Sequence, residues 1–337
     1  MLNLQRASPR EHPDRSAVLA SLDRDALSDP GRTSKPDPHR LGQAIAMKPI
    51  LSVIIPVWND EARIGLCLDA LEAQSLPREL FEVIVVDNGS TDATAKIVAG
   101  RTGVTLLHEA QVGSYAARNL GLTRAVGDYL AFTDSDCVPD PDWLRNGLEA
   151  IRDNAAVGVG AGRVVFLEPQ GAHSRACLNY ERLLSMRQDD NVKQGVVITA
   201  NWFSRRSLVT ERGGFNATLK SGGDHELSGR ISRDGLKTLY IPSAVVRHPA
   251  RAQIEEITRK ARRVVGGKWA STSGRFRVFR RLKTETRTFL GRVGAVTRAT
   301  EISATERFEL LLLLARLWLL AVVEVLRLQL GGQPARS

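Results

Sequence analysis

Leu51-Ser52-Val53-Ile54-Ile55-Pro56 is a short β-branched run stopped by a proline, the pattern of a buried strand. Outward from it the chain keeps a regular rhythm. Asn59 to Gln74 has helical spacing, with Ile64, Leu68 and Leu71 on one stripe. Phe81 to Val86 is a second apolar run. It ends in Asp87-Asn88-Gly89-Ser90-Thr91-Asp92, a tight turn into a helix that Ser90, Thr91 or Asp92 would cap. Val104 to Leu107 reads as a third strand, Tyr115 to Ala125 as a helix, and Gly127 to Phe132 as a further apolar run. Strand, helix, strand, helix, strand predicts an α/β fold with a doubly wound, mostly parallel sheet. The glycine fingerprint of dinucleotide folds and the phosphate-loop lysine motif are both missing, which argues against a Rossmann dehydrogenase or a P-loop kinase.

Thr133-Asp134-Ser135-Asp136 closes the run from Gly127 and sets two carboxylates two residues apart at the expected strand end. Alternate residues of an extended chain point to the same side, so Asp134 and Asp136 can share one side. Two carboxylates that close repel unless a cation sits between them. A divalent, oxygen-loving ion meets that need, and Mg²⁺ usually arrives with substrate phosphates. Ligands of open α/β sheets bind beyond the carboxyl ends of the strands, where this pair falls. Asp-Ser-Asp alone is also an ordinary turn, so the surrounding sequence has to decide.

Val53-Ile54-Ile55-Pro56-Val57-Trp58-Asn59, Val85-Val86-Asp87-Asn88-Gly89-Ser90-Thr91-Asp92, Ala117-Arg118-Asn119-Leu120-Gly121-Leu122 and Phe132-Thr133-Asp134-Ser135-Asp136-Cys137-Val138-Pro139 occur in this order. Together they resemble the family-2 glycosyltransferases, over residues 50–250. The resemblance implies the GT-A fold, a nucleotide-binding half followed by an acceptor half, and transfer of a sugar from a nucleotide-sugar to an acceptor hydroxyl with inversion. It implies that Asp87 hydrogen-bonds the base, that Pro56 and Asn59 line the same pocket, and that Asp134 faces the ribose and the metal. Asp136 would ligate the metal, Mg²⁺ or Mn²⁺, which bridges the diphosphate. Arg118 would screen phosphate charge; its alternative is a solvated helix face.

Ser221-Gly222-Gly223-Asp224-His225-Glu226-Leu227 is similar to the family segment that carries the catalytic base, which makes Asp224 the base candidate. Many members have Glu-Asp where this chain has Gly223-Asp224, so the supporting glutamate is missing. Asp224 also stands where a helix to Arg233 should begin and could simply cap it. His248, after the strand-like run from Leu239 to Arg247, corresponds to a further metal ligand in the GT-A group; a loop histidine is the alternative. Trp202, in Thr199-Ala200-Asn201-Trp202-Phe203, could stack on an acceptor sugar, although an aromatic in an apolar run is more often core.

The 337 residues, 43% of them hydrophobic, suffice for one large domain with extensions. Cys67, Cys137 and Cys177 have no metal or disulfide spacing. Residues 1–46 mix Arg, Asp, Pro and Ser without apolar periodicity and are expected to be a disordered extension, and Met47 would make a natural start. The transferase domain is expected over 47–250, a basic helical segment over 251–300 and an apolar helix over 301–330. Arg251 to Arg298 holds fourteen Lys and Arg against three Glu, a net +11, whereas the whole chain carries +10. So local a patch attracts polyanions, and an anionic membrane surface is expected before nucleic acid, because aromatic interleaving is sparse.

From Phe308 to Glu324 the uninterrupted apolar stretches are shorter than the roughly 20 residues a bilayer span needs. Glu306, Glu309, Arg316, Glu324 and Arg327 fall on one narrow polar stripe. In-plane membrane association ranks first, pairing with another helix in the fold or in a homodimer second, and full spanning third. The expectation is a metal-dependent inverting glycosyltransferase, peripheral at the cytoplasmic face of a bacterial inner membrane. It would use a nucleotide-diphosphate sugar and a glycan or lipid-linked acceptor in surface glycan or glycolipid synthesis. The competing expectation is a non-catalytic nucleotide-sugar binder on the same fold, which would have no need of Asp224. A nucleotidyltransferase lacks its glycine-rich, Arg-containing loop here, and the Gln-x-x-Arg-Trp motif of processive synthases is absent.

Overall fold

Every residue of Leu51–Val57, β1, is buried, because the strand lies in the middle of a sheet covered on both faces. The computed structural model describes residues 48–169, 171–270 and 272–333, so the extension expected over 1–46 lies outside the described residues. The strands that follow are β2 (Phe81–Asp87), β3 (Val104–His108), β4 (Tyr129–Thr133), β5 (Val138–Pro139), β6 (Val157–Leu167), β7 (Asn201–Arg205) and β8 (Lys237–Pro249). They form one eight-stranded sheet in the order β3-β2-β1-β4-β7-β6-β8-β5. β3, β2, β1 and β4 are mutually parallel, β7 runs antiparallel between β4 and β6, and β6 pairs parallel with β8. This is the expected α/β architecture, a parallel nucleotide-type half joined to a mixed second half.

The helices are α1 (Ile64–Glu72), α2 (Thr94–Ala99), α3 (Ser114–Arg124), α4 (Trp143–Arg152), α5 (Arg175–Leu184), α6 (Gln188–Asn191), α7 (Arg206–Thr210), α8 (Gly223–Arg233), α9 (Ile254–Ala270), α10 (Arg277–Arg298) and α11 (Ala304–Gln329). The first helix begins five residues later than the spacing from Asn59 predicts. Asn59 adopts φ +46°, a left-handed conformation that no helix continues through. Pro56 sits inside a central strand without cost. The Val57 carbonyl accepts from Asn88 of the β2 side, so the missing Pro56 amide faces the β4 side, where pairing has already ended at Ile54 and Phe132. The register therefore brings Val57, Asp87 and Thr133 to one edge of the sheet.

α11 is not isolated. Leu310, Leu313, Leu314 and Leu317 pack with Ala176, Cys177 and Tyr180 of α5, Ile257 of α9 and Val296 of α10. Farther along, Ala321, Val325 and Leu328 meet Val265 and Trp269 of α9. The apolar helix thus pairs within its own fold. Ser303 and Glu306 form a reciprocal capping box at its start, and Glu306 also reaches Arg175 of α5 at 3.3 Å. Glu324 is buried but paired with Arg327 at 2.6 Å. Among the described residues no helix is long and apolar enough to cross a membrane. A second apolar stripe on α11, Phe308, Leu312, Leu319, Val323 and Leu326, stays exposed, as does Leu330 just past its end.

Candidate active site

Asp134 and Asp136 follow the last residue of β4, and β5 then pairs Val138 with Arg247 of β8. That short antiparallel pairing places His248 beside the acidic pair. Ligand atoms of Asp134, Asp136 and His248 lie within 4.8 Å of one another, and His248 Nε2 is 3.6 Å from an Asp136 carboxylate oxygen. His248 is buried, and its Nδ1 stands 2.7 Å from the Pro249 carbonyl oxygen. A carbonyl only accepts, so Nδ1 carries a proton, and the neutral ring would then turn its Nε2 lone pair towards Asp136. Three such groups converging could hold a cation, and two carboxylate oxygens with an imidazole nitrogen suit Mg²⁺ or Mn²⁺. Burial pushes the Asp136 carboxyl above its ordinary value; a positive charge on His248, when the ring is protonated, opposes this and Asp134 reinforces it.

Arg118 is almost fully buried on α3 rather than on a solvated face, and its Nη2 donates to Asp134 at 2.5 Å. Its guanidinium also lies 5.8 Å from the centre of the Tyr115 ring. Asp60 and Arg63, which the sequence reading did not single out, complete the acidic cluster. Asp60 accepts from Arg63 Nε and from the Ser135 hydroxyl, both at 2.6 Å, and Arg63 stands 3.8 Å from Asp136. The sequence signal was present in Asp60-Glu61, a charged pair directly after the first strand.

Asp87 ends β2 with a buried carboxylate that accepts from the Ser90 amide at 3.2 Å and lies 3.3 Å from His108 Nδ1. Asn59 spends its side chain on the Thr91 amide at 2.7 Å, while its own amide donates to the Ser90 hydroxyl. It braces the Asp87–Asp92 turn, and the cavity wall beside it is formed by Pro56 and Trp58. Trp202 requires a correction. It is fully buried, edge-on to Phe132, with its Nε1 donating to Ser204, so no ring face is open to an acceptor. The half-exposed tryptophan on the cavity is Trp58.

Asp224 is the second residue of α8; Gly222, with φ +80°, occupies the cap position instead. The Asp224 carboxylate accepts from the Tyr115 hydroxyl at 3.2 Å and from the Thr199 amide at 3.4 Å. Tyr115 stacks on Phe215 with ring centres 5.7 Å apart. Burial, reinforced by Asp224, pushes the phenol upward, so Tyr115 keeps its proton and donates. A Cβ at Gly223 would meet the Tyr115 ring at 2.8 Å. The ring fills the space that a glutamate at 223 would enter, and its hydroxyl supports Asp224 in that residue's place.

Asp134, Asp136, His248, Arg118, Asp224, Pro56 and Trp58 all line one open cleft of about 750 Å³. One end presents residues that could hold a cation, the other a carboxylate held by three neutral donors, the Tyr115 hydroxyl and the Thr199 and His225 amides, which is an arrangement for moving a group from an anionic carrier to a protonated nucleophile. The family model described as Glycosyl transferase family 2 matches residues 52–212. Glycosyltransferase AglE of Haloferax volcanii is 36% identical over 225 residues, 65% of this chain and 73% of that protein. The pre-mycofactocin glycosyltransferase of Mycobacterium tuberculosis is 30% identical over 223 residues, and the match spans 63% of this chain but 45% of that protein. A solved mannosyltransferase from Pyrobaculum calidifontis, in complex with GDP-Man and Mn²⁺, shares the fold with a TM-score of 0.57 at 22% identity. That similarity covers 83% of this chain and 87% of the other. The chain belongs to the family-2 glycosyltransferases and is a nucleotide-sugar-dependent transferase of GT-A fold.

Proposed function

We propose that the protein is a metal-dependent, inverting glycosyltransferase in which the ion is held by Asp134, Asp136 and His248 and the acceptor is deprotonated by Asp224. The observation that carries this reading is the buried His248, whose tautomer is set by Pro249 so that its lone pair joins two carboxylates. When bound, Mg²⁺ or Mn²⁺ would supply Lewis acidity, drawing off charge that develops on the leaving diphosphate. Asp224 takes the proton of the acceptor hydroxyl as its oxygen attacks the anomeric carbon. The bond from that carbon to the diphosphate breaks on the opposite side, the nucleoside diphosphate leaves, and the configuration inverts. Arg118 holds Asp134 in place, and Trp58 offers a ring face to base or sugar. Pro56 and Asp87 belong to the nucleotide side. GDP-mannose and Mn²⁺, bound by the Pyrobaculum protein, are the first donor and ion to try. Donor binding should need the metal, and Asp136→Ala should weaken metal-dependent binding and abolish nucleoside diphosphate release. Equal nucleotide affinity with and without EDTA would overturn the assignment.

We further propose that the enzyme works against an anionic membrane surface, in glycan or glycolipid assembly. Support comes from the exposed stripe of α11, a helix packed against the basic α10, and from Phe279 and Leu290 of α10 with Phe276 just before it, which are also exposed. Apolar burial and cationic attraction are then two additive signals for a peripheral, in-plane association.

A further inference from the structure

The cleft does not stop at Asp224. It continues between α9, α10 and α11, where its wall changes character. Arg251, Arg259, Lys260, Arg263 and Arg292 line it together with two carboxylates, Glu256 and Glu285, and the same lining includes Phe289, Leu314, Leu317 and Trp318. The positive charge is poorly matched. Arg251 and Lys260 share one buried carboxylate, Glu181, at 2.9 and 3.9 Å. Among the described residues Arg259 and Arg263 have no ion-pair partner, and Arg292 has only the Tyr180 ring, 5.4 Å from its guanidinium carbon. Burial and the neighbouring Arg251 push Lys260 down to about 8, with Arg263 and Arg292 adding to the effect and Glu181 opposing it. Like charges gathered along one cleft repel one another, and a bound polyanion removes that cost.

The donor does not account for this group. Its diphosphate is assigned to the acidic cluster at the ends of β4 and β8, with Arg118 behind it. The basic set belongs to the helices that follow the sheet. Two more features define what would enter: an apolar wall on the same chamber, and a direct opening to the carboxylate that deprotonates the acceptor. We propose that this chamber is the acceptor subsite and that it takes a phosphate-bearing amphiphile. The phosphate or diphosphate sits on Arg263, Arg292 and Arg259, and the hydrocarbon chain runs along Phe289, Leu317 and Trp318. This rests on the glycosyltransferase reading of the cleft and names the class of its acceptor. Arginine suits the task, since its planar fork pairs two phosphate oxygens at once.

The test uses the full chain, farnesyl phosphate as probe, farnesol as its uncharged counterpart, and the Arg263→Gln/Arg292→Gln double variant. Wild-type protein should bind farnesyl phosphate at least about tenfold more tightly than farnesol, and the double variant should lose that advantage. Manganese-dependent GDP binding, measured on the same samples, should be unchanged, which shows that the variant is folded and its donor side intact. Equal binding of farnesyl phosphate by variant and wild type would overturn the proposal. So would a parallel loss of GDP binding, which would return these arginines to the donor. Displacement of the probe by phosphatidylglycerol vesicles as readily as by free farnesyl phosphate would make the chamber a headgroup site and remove the acceptor assignment. If GDP binding in wild type ignored manganese while farnesyl phosphate still required the arginines, the donor reading would fail and the phosphate subsite would stand.

Discussion

Asp224 takes its place in the cleft through a residue 109 positions away, the Tyr115 hydroxyl. Asp224→Asn keeps the size of the side chain but cannot take a proton, so turnover should fall by about 10²–10⁴-fold with donor affinity near wild type. Tyr115→Phe keeps the stacked ring and removes one hydrogen bond to a charged group, a loss of about tenfold in turnover. Measuring kcat beside donor affinity separates the two sides of the cleft; a Tyr115→Phe enzyme at full speed would show that the hydroxyl only packs. The acidic pair was legible in the sequence because it closes an apolar strand-like run, and His248 only through the family resemblance. Tyr115 was not, since no local pattern reveals a contact across that separation. Trp202 illustrates the converse: strand composition does not say which aromatic faces the core, and the burial of β7 on both faces decided it.

At the scale of elements, the helix from Leu310 to Leu328 was legible from its apolar run. Its partners were not, because α5 lies more than a hundred residues earlier and carries a mixed sequence. β6 was equally hidden: Gly158, Gly160 and Gly162 remove every second side chain from one face of that strand. Ser303→Ala should cost about 1 kcal/mol through the lost cap, read as a lower denaturation midpoint. Leu313→Ala, at the centre of the α5–α11 contact, should cost about 2–5 kcal/mol. Glu181 joins α5 to α9. Burial alone would raise its carboxyl, but Lys260 and Arg251 outweigh that and hold it below its ordinary value of 4.5. A lowered folded value adds stability above pH 4.5 that disappears as pH falls through the folded value. Wild type should therefore lose more thermal stability than Glu181→Gln on going from neutral pH to below about 4.5.

At the scale of the whole molecule, charge and apolar exposure are gathered on the C-terminal helices. Cutting the chain near Thr300 would not test their role, because α11 supplies eight buried residues to the fold. Substitution on the exposed stripe does. Leu319→Glu with Val323→Glu leaves the buried face intact and should release the protein from anionic vesicles at high salt. Residual low-salt binding would then come from the basic residues, since screening weakens charge but not burial. If the variant binds vesicles as wild type does and a dimer dissociates instead, the stripe is a contact between copies and the membrane proposal falls.

The close approach of Tyr115 to Gly223 has a consequence for how this sequence can drift. Neither position is free to change first: a side chain at 223 strikes the ring, and loss of the ring strips Asp224 of its side-chain donor while nothing at 223 takes over. The two sites are epistatic. Gly223→Glu and Tyr115→Ser, each made alone, should both depress activity, and the double substitution should recover part of what either loses. Such a pair forms a shallow evolutionary barrier between this lineage and relatives that keep glutamate before the base. It can be crossed only by paired replacement or through a weakened intermediate.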